Sequence, residues 1–333
     1  MSAYRSEPPY AYSRQVLMRT HRSICIALMF MLALACGNSY AAPASQSIGV
    51  VFPDTREPYR SVFTGIIDGV QDKLGSTVKQ YVIKPNEDLS ALRNWAESEN
   101  LSVIIALGTT GLSVAKGMKG VIEVIVGGVL VEPHNGNAEL SGISLAPDPE
   151  IIFDRFRTIL PSAKRVSVIY QPSENGWLIE RARAVLRRKG LTLNEIKVHD
   201  LRESAQEFRK ILNELRENED ILWLLQDDSV VDDQAILPLV LRTAWDRNLT
   251  VVSNNPAHVK KGALLSVYPN NRGLGISLAD LALKQVNSGK TPGRGITPLR
   301  DLLIAMNTRT AEHIGLYRAG QRIDGIDLTF PVP

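Results

Sequence analysis

The sequence predicts an α/β protein built as two doubly wound parallel sheets, and three observations carry that prediction. Two stretches, Val103-Ile-Ile-Ala-Leu107 and Ile221-Leu-Trp-Leu-Leu225, are uninterrupted apolar runs of the kind that strands buried on both faces require. Each run ends in a polar turn, Gly108-Thr109-Thr110 in one case and Gln226-Asp227-Asp228-Ser229 in the other, and then enters a helical pattern. Around each run, strands and amphipathic helices alternate in the same order. At 333 residues the chain exceeds the ~250–300 at which one core stops growing, so two Rossmann-like lobes are expected.

The first 41 residues read as a signal peptide. Ser23 to Gly37 is an apolar run behind Arg19, His21 and Arg22, and Ser39-Tyr40-Ala41 is a small-residue exit. The run is shorter than the ~20 residues of a membrane span, so cleavage after Ala41 and export to the periplasm are expected. Lipidation of Cys36 is the rival, with Ala33-Leu34-Ala35 as an imperfect lipobox, and an uncleaved anchor is the third reading. Met18 offers an alternative start that gives a leader of ordinary length. Both cysteines, Cys25 and Cys36, fall in this leader, so the body offers no disulfide and no thiolate metal site. The net charge of +3 also comes from the leader: four basic residues and one acidic residue precede residue 42, and the rest of the chain is balanced. No basic patch for nucleic acid is implied.

In the first block, Ile48–Phe52 is a strand that runs into the polar loop Pro53–Pro58. Val62, Phe63, Ile66, Ile67, Val70 and Leu74 then recur at helical spacing. Val78–Ile83 is a strand, Asn86 caps a helix with Leu89, Leu92, Trp95 and Ala96 on one face, and Val121–Val131 supplies one or two further strands. Glu132–Pro149 reads as a connecting stretch. The second block repeats this order: helix Ile151–Leu160, strand Val166–Tyr170, loop Gln171–Asn175, a helix from Trp177, strand Leu193–Val198, a helix through Phe208 and Leu215, the apolar run at Ile221, a helix through Ile236 and Ala244, strand Leu249–Val252 and loop Ser253–Pro256. The tail adds strand Gly262–Tyr268, helix Leu274–Val286, loop Gly289–Pro298, strand Asp301–Met306 and a short helix Thr308–Gly315. That is one strand and one helix more than the second block needs, so the chain is expected to cross back and form a multi-strand hinge. The expected lobes are 47–143 plus 266–292 and 144–265 plus 293–328.

Loops that follow strand C-termini lie along one edge of each sheet. If the two edges face each other, the loops at 53–58, 108–110, 171–175, 226–229 and 253–256 line one cleft.

The order of several segments resembles the substrate-binding proteins of ABC transporters, in the family with the type I periplasmic-binding fold that includes aromatic-amino-acid binders. The segments are Ser141-Gly-Ile-Ser144, Leu160-Pro-Ser-Ala-Lys164 ahead of Val166–Tyr170, Asp228-Ser229, Val259-Lys-Lys-Gly-Ala-Leu264, and Ala305 to Gly315. The resemblance spans about Ile48 to Gly315 and implies two lobes that close on a small molecule and pass it to a membrane ABC permease. A monomer with no cofactor, no metal and no catalytic residues is expected.

For a zwitterionic ligand such as an amino acid, Thr109 and Thr110 would offer hydroxyls and backbone N–H groups to a carboxylate. The ammonium would meet Asp228, which the resemblance favours, or Asp227, with Ser229 beside them. Asn175 and Asn254 join the set by position, and Tyr59, Tyr170 and Tyr268 could stack on a ring. Arg56 could pair with an anion. Helix capping is the alternative for the threonines, the aspartates and Asn175, half-buried packing for the tyrosines, and a solvated loop charge for Arg56.

Enzyme signals are poor. Gly289-Lys290-Thr291 follows a helix and has Lys284 where a phosphate loop needs its first glycine; Gly273-Leu-Gly275 lacks a third glycine. His134, His199, His258 and His313 show no metal spacing and read as surface residues, and no Gly-x-Ser-x-Gly elbow is present. A periplasmic sensor that presents its ligand to a membrane kinase or receptor is the alternative role, an exported α/β enzyme the third, and a DNA-binding regulator is disfavoured because no helix-turn-helix precedes Ile48.

Overall fold

The computed structural model describes residues 47–84, 87–133, 136–288, 295–316 and 324–332. The leader and Asn86 lie outside these residues, as do His134 and the glycine-containing stretch 289–294.

The first block runs β1 (Ile48–Pro53), α1 (Tyr59–Leu74), β2 (Lys79–Ile83), α2 (Leu89–Ser98), β3 (Val103–Leu107), α3 (Gly108–Gly117), β4 (Glu123–Gly127) and β5 (Ser141–Pro147). The second continues with α4 (Pro149–Ile159), β6 (Arg165–Tyr170), α5 (Pro172–Arg188), β7 (Thr192–Lys197), α6 (Leu201–Glu214), β8 (Asp220–Leu224), α7 (Ile236–Asp246), β9 (Thr250–Ser253), α8 (Pro256–Lys261) and β10 (Leu265–Pro269). The tail adds α9 (Asn271–Ser288), β11 (Gly295–Leu299), β12 (Leu302–Asn307), α10 (Thr308–His313) and β13 (Leu328–Phe330).

Two mostly parallel sheets result, as the alternation requires. The first has the order β11-β5-β4-β3-β1-β2 and the second β13-β12-β10-β9-β8-β6-β7. β12 lies antiparallel to β10, and the other pairings are parallel. Both apolar runs are central strands with every residue buried. Their alternate side chains feed opposite cores. Val103, Ile105 and Leu107 pack with α1 and α9 through Phe63, Ile66, Leu274 and Leu278, while Ile104 and Ala106 face Leu92, Val114 and Met118. In the second sheet Ile221 and Trp223 meet Phe153 and Phe156, and Leu222 and Leu224 meet Phe208 and Leu237. Helices on both faces are what make a continuous apolar strand affordable.

The structure differs from the expected elements in five places. The connecting stretch contains β5, and the Gly/Thr/Pro loop contains β11; β11 is an edge strand with a register shift at Pro298/Leu299, and both features let a sheet accommodate proline. The six-residue α8 precedes β10, with Asn255 accepting from Ala257 N–H at 2.9 Å as its cap. β13 pairs with β12 without any apolar run to announce it. Finally, Asp88 caps α2, accepting from Ser90 N–H at 3.1 Å.

Helices α1 and α9 touch backbone to backbone. A Cβ on Gly275 would lie 1.9 Å from the Ile66 carbonyl oxygen, and one on Gly69 would lie 2.0 Å from that of Arg272. Gly275 is therefore a helix-packing glycine, whereas Gly273 lies against Asn270 and Asp301.

Sheet membership changes three times, after Pro147, after Pro269 and between Leu299 and Leu302, against expected changes at 143, 265 and 292. The three links are bonded to one another: Asp148 N–H donates to Leu299 O (2.7 Å) and Asn270 N–H to Asp301 O (2.9 Å). The buried Asp148 carboxylate caps α4 through Glu150 N–H (3.0 Å) and accepts from Arg181 (3.2 Å) and Arg300 (2.8 Å).

Candidate functional site

The ends of strands from both sheets meet around a cavity of about 180 Å³. One wall comes from the segment after β4 (Leu130, Val131, Glu132) and from Ser144, Ala146 and Pro147 of β5. The opposite wall is the first turns of α5, with Glu174, Asn175, Trp177 and Leu178, together with Gln226 and Asp227 after β8 and Asn254 after β9. The volume is below the ~300–1,000 Å³ of sites for drug-sized molecules, so it suits a small metabolite.

Asp227 is held in place by neutral donors. Its Oδ2 accepts from Asn175 Nδ2 at 2.8 Å and its Oδ1 from Ser229 N–H at 3.0 Å. The Ser229 hydroxyl oxygen lies within hydrogen-bond reach of both Asp227 Oδ1 (2.5 Å) and Gln171 Oε1 (2.6 Å). The carboxylate is therefore held in one orientation. It does not cap the following helix. The turn that leads into that helix is held by Asp232, whose carboxylate accepts from the N–H groups of Gln234, Ala235 and Ile236 at 2.9–3.0 Å; these bonds, that from Ile236 foremost, lower its pKa.

Asn254 is 3% exposed. Its Oδ1 accepts from Trp223 Nε1–H at 3.0 Å, and because an indole N–H can only donate, this bond fixes which way the amide points. Ser144, fully buried, accepts from Val131 N–H (3.1 Å) and Ala146 N–H (3.2 Å), which holds the segment after β4 against β5.

Three of the expected residues, Asp227, Asn175 and Asn254, line the cavity, and Ser229 supports Asp227 from behind. Asn175 sits inside α5, with Gln171 in the capping position. Asp228 is exposed and outside the lining. Thr109, exposed, and Thr110, half-buried, stand in the first turn of α3, where the cap position is Leu107 and no side chain caps the helix. Gly108 opens that turn at φ +74°, and a Cβ there would lie 3.0 Å from the Phe63 ring. Tyr59 is 66% exposed at the start of α1, and Arg56 is exposed. Tyr268 packs against the second core, where burial first and then Asp327 raise its phenol pKa. Tyr170 is buried and reaches Glu195 at 3.4 Å.

Sequence reasoning placed Glu174 and Gln226 in cleft-lining loops without choosing them as ligand contacts, and it missed Ser144, Glu132 and Trp177 as cavity residues. Gln226 and Glu174 adjoin positions already chosen, so chain neighbourhood was a usable signal. Ser144 was hidden because its strand reads as a connection.

His258 departs from the surface reading. It is 4% exposed, and its Nδ1 lies 2.9 Å from Ser253 Oγ, with Asp233 Oδ1 3.7 Å from Nε2. Burial lowers its pKa; Asp233 opposes that, while nearby Lys261 adds to it. A serine, histidine and aspartate in sequence suggest a nucleophile, but Ser253 Oγ is fully buried and accepts from Asn255 N–H at 3.0 Å. No substrate reaches it, so these groups hold the loop that carries Asn254. His199 and His313 are exposed, the latter stacked on Trp245 at 3.7 Å. Among the described residues, no group of three or more His, Cys, Asp or Glu is placed to hold a metal ion, and no helix is long and apolar enough to cross a membrane.

Solved structures share this fold at low identity. A ligand-free, open substrate-binding protein with adhesive properties from Clostridium difficile aligns with a TM-score of 0.59 at 17% identity, over 84% of this chain and 98% of that one. An ABC domain in complex with L-Trp from Streptococcus pneumonia gives 0.50 at 16%, over 85% and 99%. A periplasmic ribose ABC transporter protein from Conexibacter woesei gives 0.51 at 15%, over 84% and 98%. These likenesses establish the type I periplasmic-binding fold. A search of curated proteins finds no match. The profile of the family described as ABC transporter substrate binding protein matches residues 47–315, from the first residue before β1 to the end of the turn after α10, and the chain belongs to that family.

Proposed function

We propose that this protein is exported, captures a small polar metabolite between its two lobes and delivers it to a membrane ABC permease, without chemistry of its own. The observation that carries the reading is a cavity walled by strand ends of both sheets, with Asp227 and Asn254 held in fixed orientation on one side. In this reading Asp227, Asn175 and Asn254 bind the ligand and Ser229 positions Asp227. Asp228, Thr109, Thr110, Tyr59 and Tyr268 belong to the rim that meets the ligand as the lobes close. Residues 1–41 direct export and are removed after Ala41, and the mature protein works as a monomer. Family membership supports delivery to a permease.

The test is a thermal-shift screen against a broad metabolite set, joined to mass spectrometry of whatever copurifies. A stabilising compound should also make the protein more compact in small-angle scattering, as lobe closure requires. If no small molecule of any class shifts the melting point, the reading fails.

A further inference from the structure

We propose that His258 makes the cleft acid-sensitive: when its imidazole takes up a proton, the Ser253 hydroxyl reverses and releases the loop that sets Asn254 in the cavity wall, so the solute is held more weakly. The proposal rests on the reading of that cavity as the solute site and adds its regulation.

The buried bonds under this loop run in one direction. Asn255 N–H donates to Ser253 Oγ at 3.0 Å, and Oγ lies 2.9 Å from His258 Nδ1. Among the described residues Nδ1 is the one acceptor bonded to that hydroxyl, so the serine gives its proton to Nδ1. The neutral ring then carries its own proton on Nε2, 3.7 Å from Asp233 Oδ1. An imidazolium has protons on both nitrogens. Nδ1 must then donate to Oγ, and the serine proton needs a new acceptor. Ser266, the partner of Ser253 in the ladder between β9 and β10, is fully buried, and its Oγ has no bond among the described residues. Ladder partners share a face of the sheet, so a hydroxyl that swings towards Ser266 finds its acceptor there and leaves Asn255 N–H behind. Asn254 lies between the two residues whose bond is lost, and its Oδ1 holds the Trp223 indole proton.

The charges around the ring set where it titrates. Asp233 and Asp228 face it from the turn after β8, and Lys261 from its own helix, where Lys261 Nζ pairs with Asp233 Oδ2 at 2.8 Å. Of the strands packed against α8, β9 and β12 carry no ionisable side chain and β10 carries only Tyr268. Leu316 and Ile326, on either side of 317–323, pack on the opposite face of the sheet from Val259 of α8. Burial is the largest influence and disfavours the charged ring; Asp233 and Asp228 favour it and Lys261 opposes it, and the balance lies below the ordinary value of ~6.5. The ring is therefore neutral at pH 7.5, and the switch works on the acid side.

The experiment follows the tryptophan indole N–H signals of the isotope-labelled full chain by NMR from pH 7.5 to 5, with Trp223 assigned by elimination through Phe substitutions at Trp95, Trp177 and Trp245. Trp223 stands on the face of β8 away from α8, so its signal reports Asn254 and not the ring charge. It should move with the midpoint of the His258 ring signals, below about pH 6.5. His258→Asn, whose amide oxygen accepts the serine proton and does not titrate, should hold the Trp223 signal still. Ser253→Ala keeps a titrating ring with no hydroxyl to reverse and should hold it still as well. The metabolite screen is then repeated at pH 7.5 and 5.5, with calorimetry of any compound that stabilises the chain. Its affinity should fall about three-fold or more at the lower pH, within the roughly ten-fold per pH unit that one coupled proton allows, and the ratio should approach one in His258→Asn. A Trp223 signal that ignores His258, or that still moves in either variant, overturns the proposal, as does a chain that unfolds before His258 titrates. An affinity equal at both pH values, or falling equally in His258→Asn, overturns it while solute binding stands. If no compound binds at either pH, solute binding itself falls and the acid response of the cleft with it.

Discussion

Replacing Asp148 separates two roles that its carboxylate combines. It caps α4 through Glu150 N–H and holds Arg181 and Arg300, so it joins two of the three links between the sheets. Loss of an N-cap side chain costs about 1 kcal/mol. The guanidinium groups are 48% and 59% exposed, so once released they return to water, and each pair contributes about 0.2–1 kcal/mol. Asp148→Ala should therefore cost about 1.4–3 kcal/mol. Asn caps as well as Asp, so Asp148→Asn should lose only the charge and cost about 1 kcal/mol. Urea titration followed by tryptophan fluorescence reads both values. Equal losses for the two variants would refute the division into cap and charge. A loss below about 0.5 kcal/mol for the alanine variant would show that the links are not held through this carboxylate.

Three further outcomes follow from the packing. Gly275→Ala drives a methyl against the Ile66 carbonyl, so it should cost at least the ~1–3 kcal/mol of an overpacked core, read as a lower urea midpoint; an unchanged midpoint would mean that α1 and α9 do not touch as described. Trp223→Phe removes the donor to Asn254 Oδ1 and leaves a buried acceptor open, at about 1–3 kcal/mol, and should weaken ligand binding by letting the amide turn; calorimetry with the screened ligand checks this. His258 has its folded pKa lowered, so below the unfolded value of ~6.5 the unfolded chain binds more protons than the folded one. Its contribution is fully present above that pH and is lost as the pH falls, so His258→Asn should flatten the decline in stability between pH 6.5 and 5. A parallel decline in both proteins would refute it.

How much the sequence disclosed depended on how each residue's role is written into the chain. β3 and β8 were legible because a strand covered on both faces needs an unbroken apolar run, and few other structures do. β5 and β11 were not, because Ser141-Gly-Ile-Ser and Gly295-Ile-Thr-Pro carry the small and turn-forming residues that also mark loops, and only their partners across the sheet make them strands. Asp227, Asn175 and Asn254 were found because ligand loops follow strand ends. Their individual states could not be read, since the bond from Trp223 to Asn254 and that from Asn175 to Asp227 join residues 31 and 52 positions apart. His258 was misjudged for the same reason: nothing around it in sequence shows that α8 folds it under the Ser253 loop.

The chain leaves the first sheet after Pro147 and returns to it only with α9 and β11. In terms of synthesis, the partner of α1 and the edge strand beside β5 are the last parts of the first lobe to appear. By then the second sheet already has five of its strands, β6 to β10. The face of α1 that carries Ile66 and Gly69 stays uncovered through that interval. An N-terminal lobe that ordinarily would fold first is here obliged to wait for the other, so the two lobes finish almost together. Truncation anywhere before Leu299 should leave the first lobe incomplete however much of the second is present.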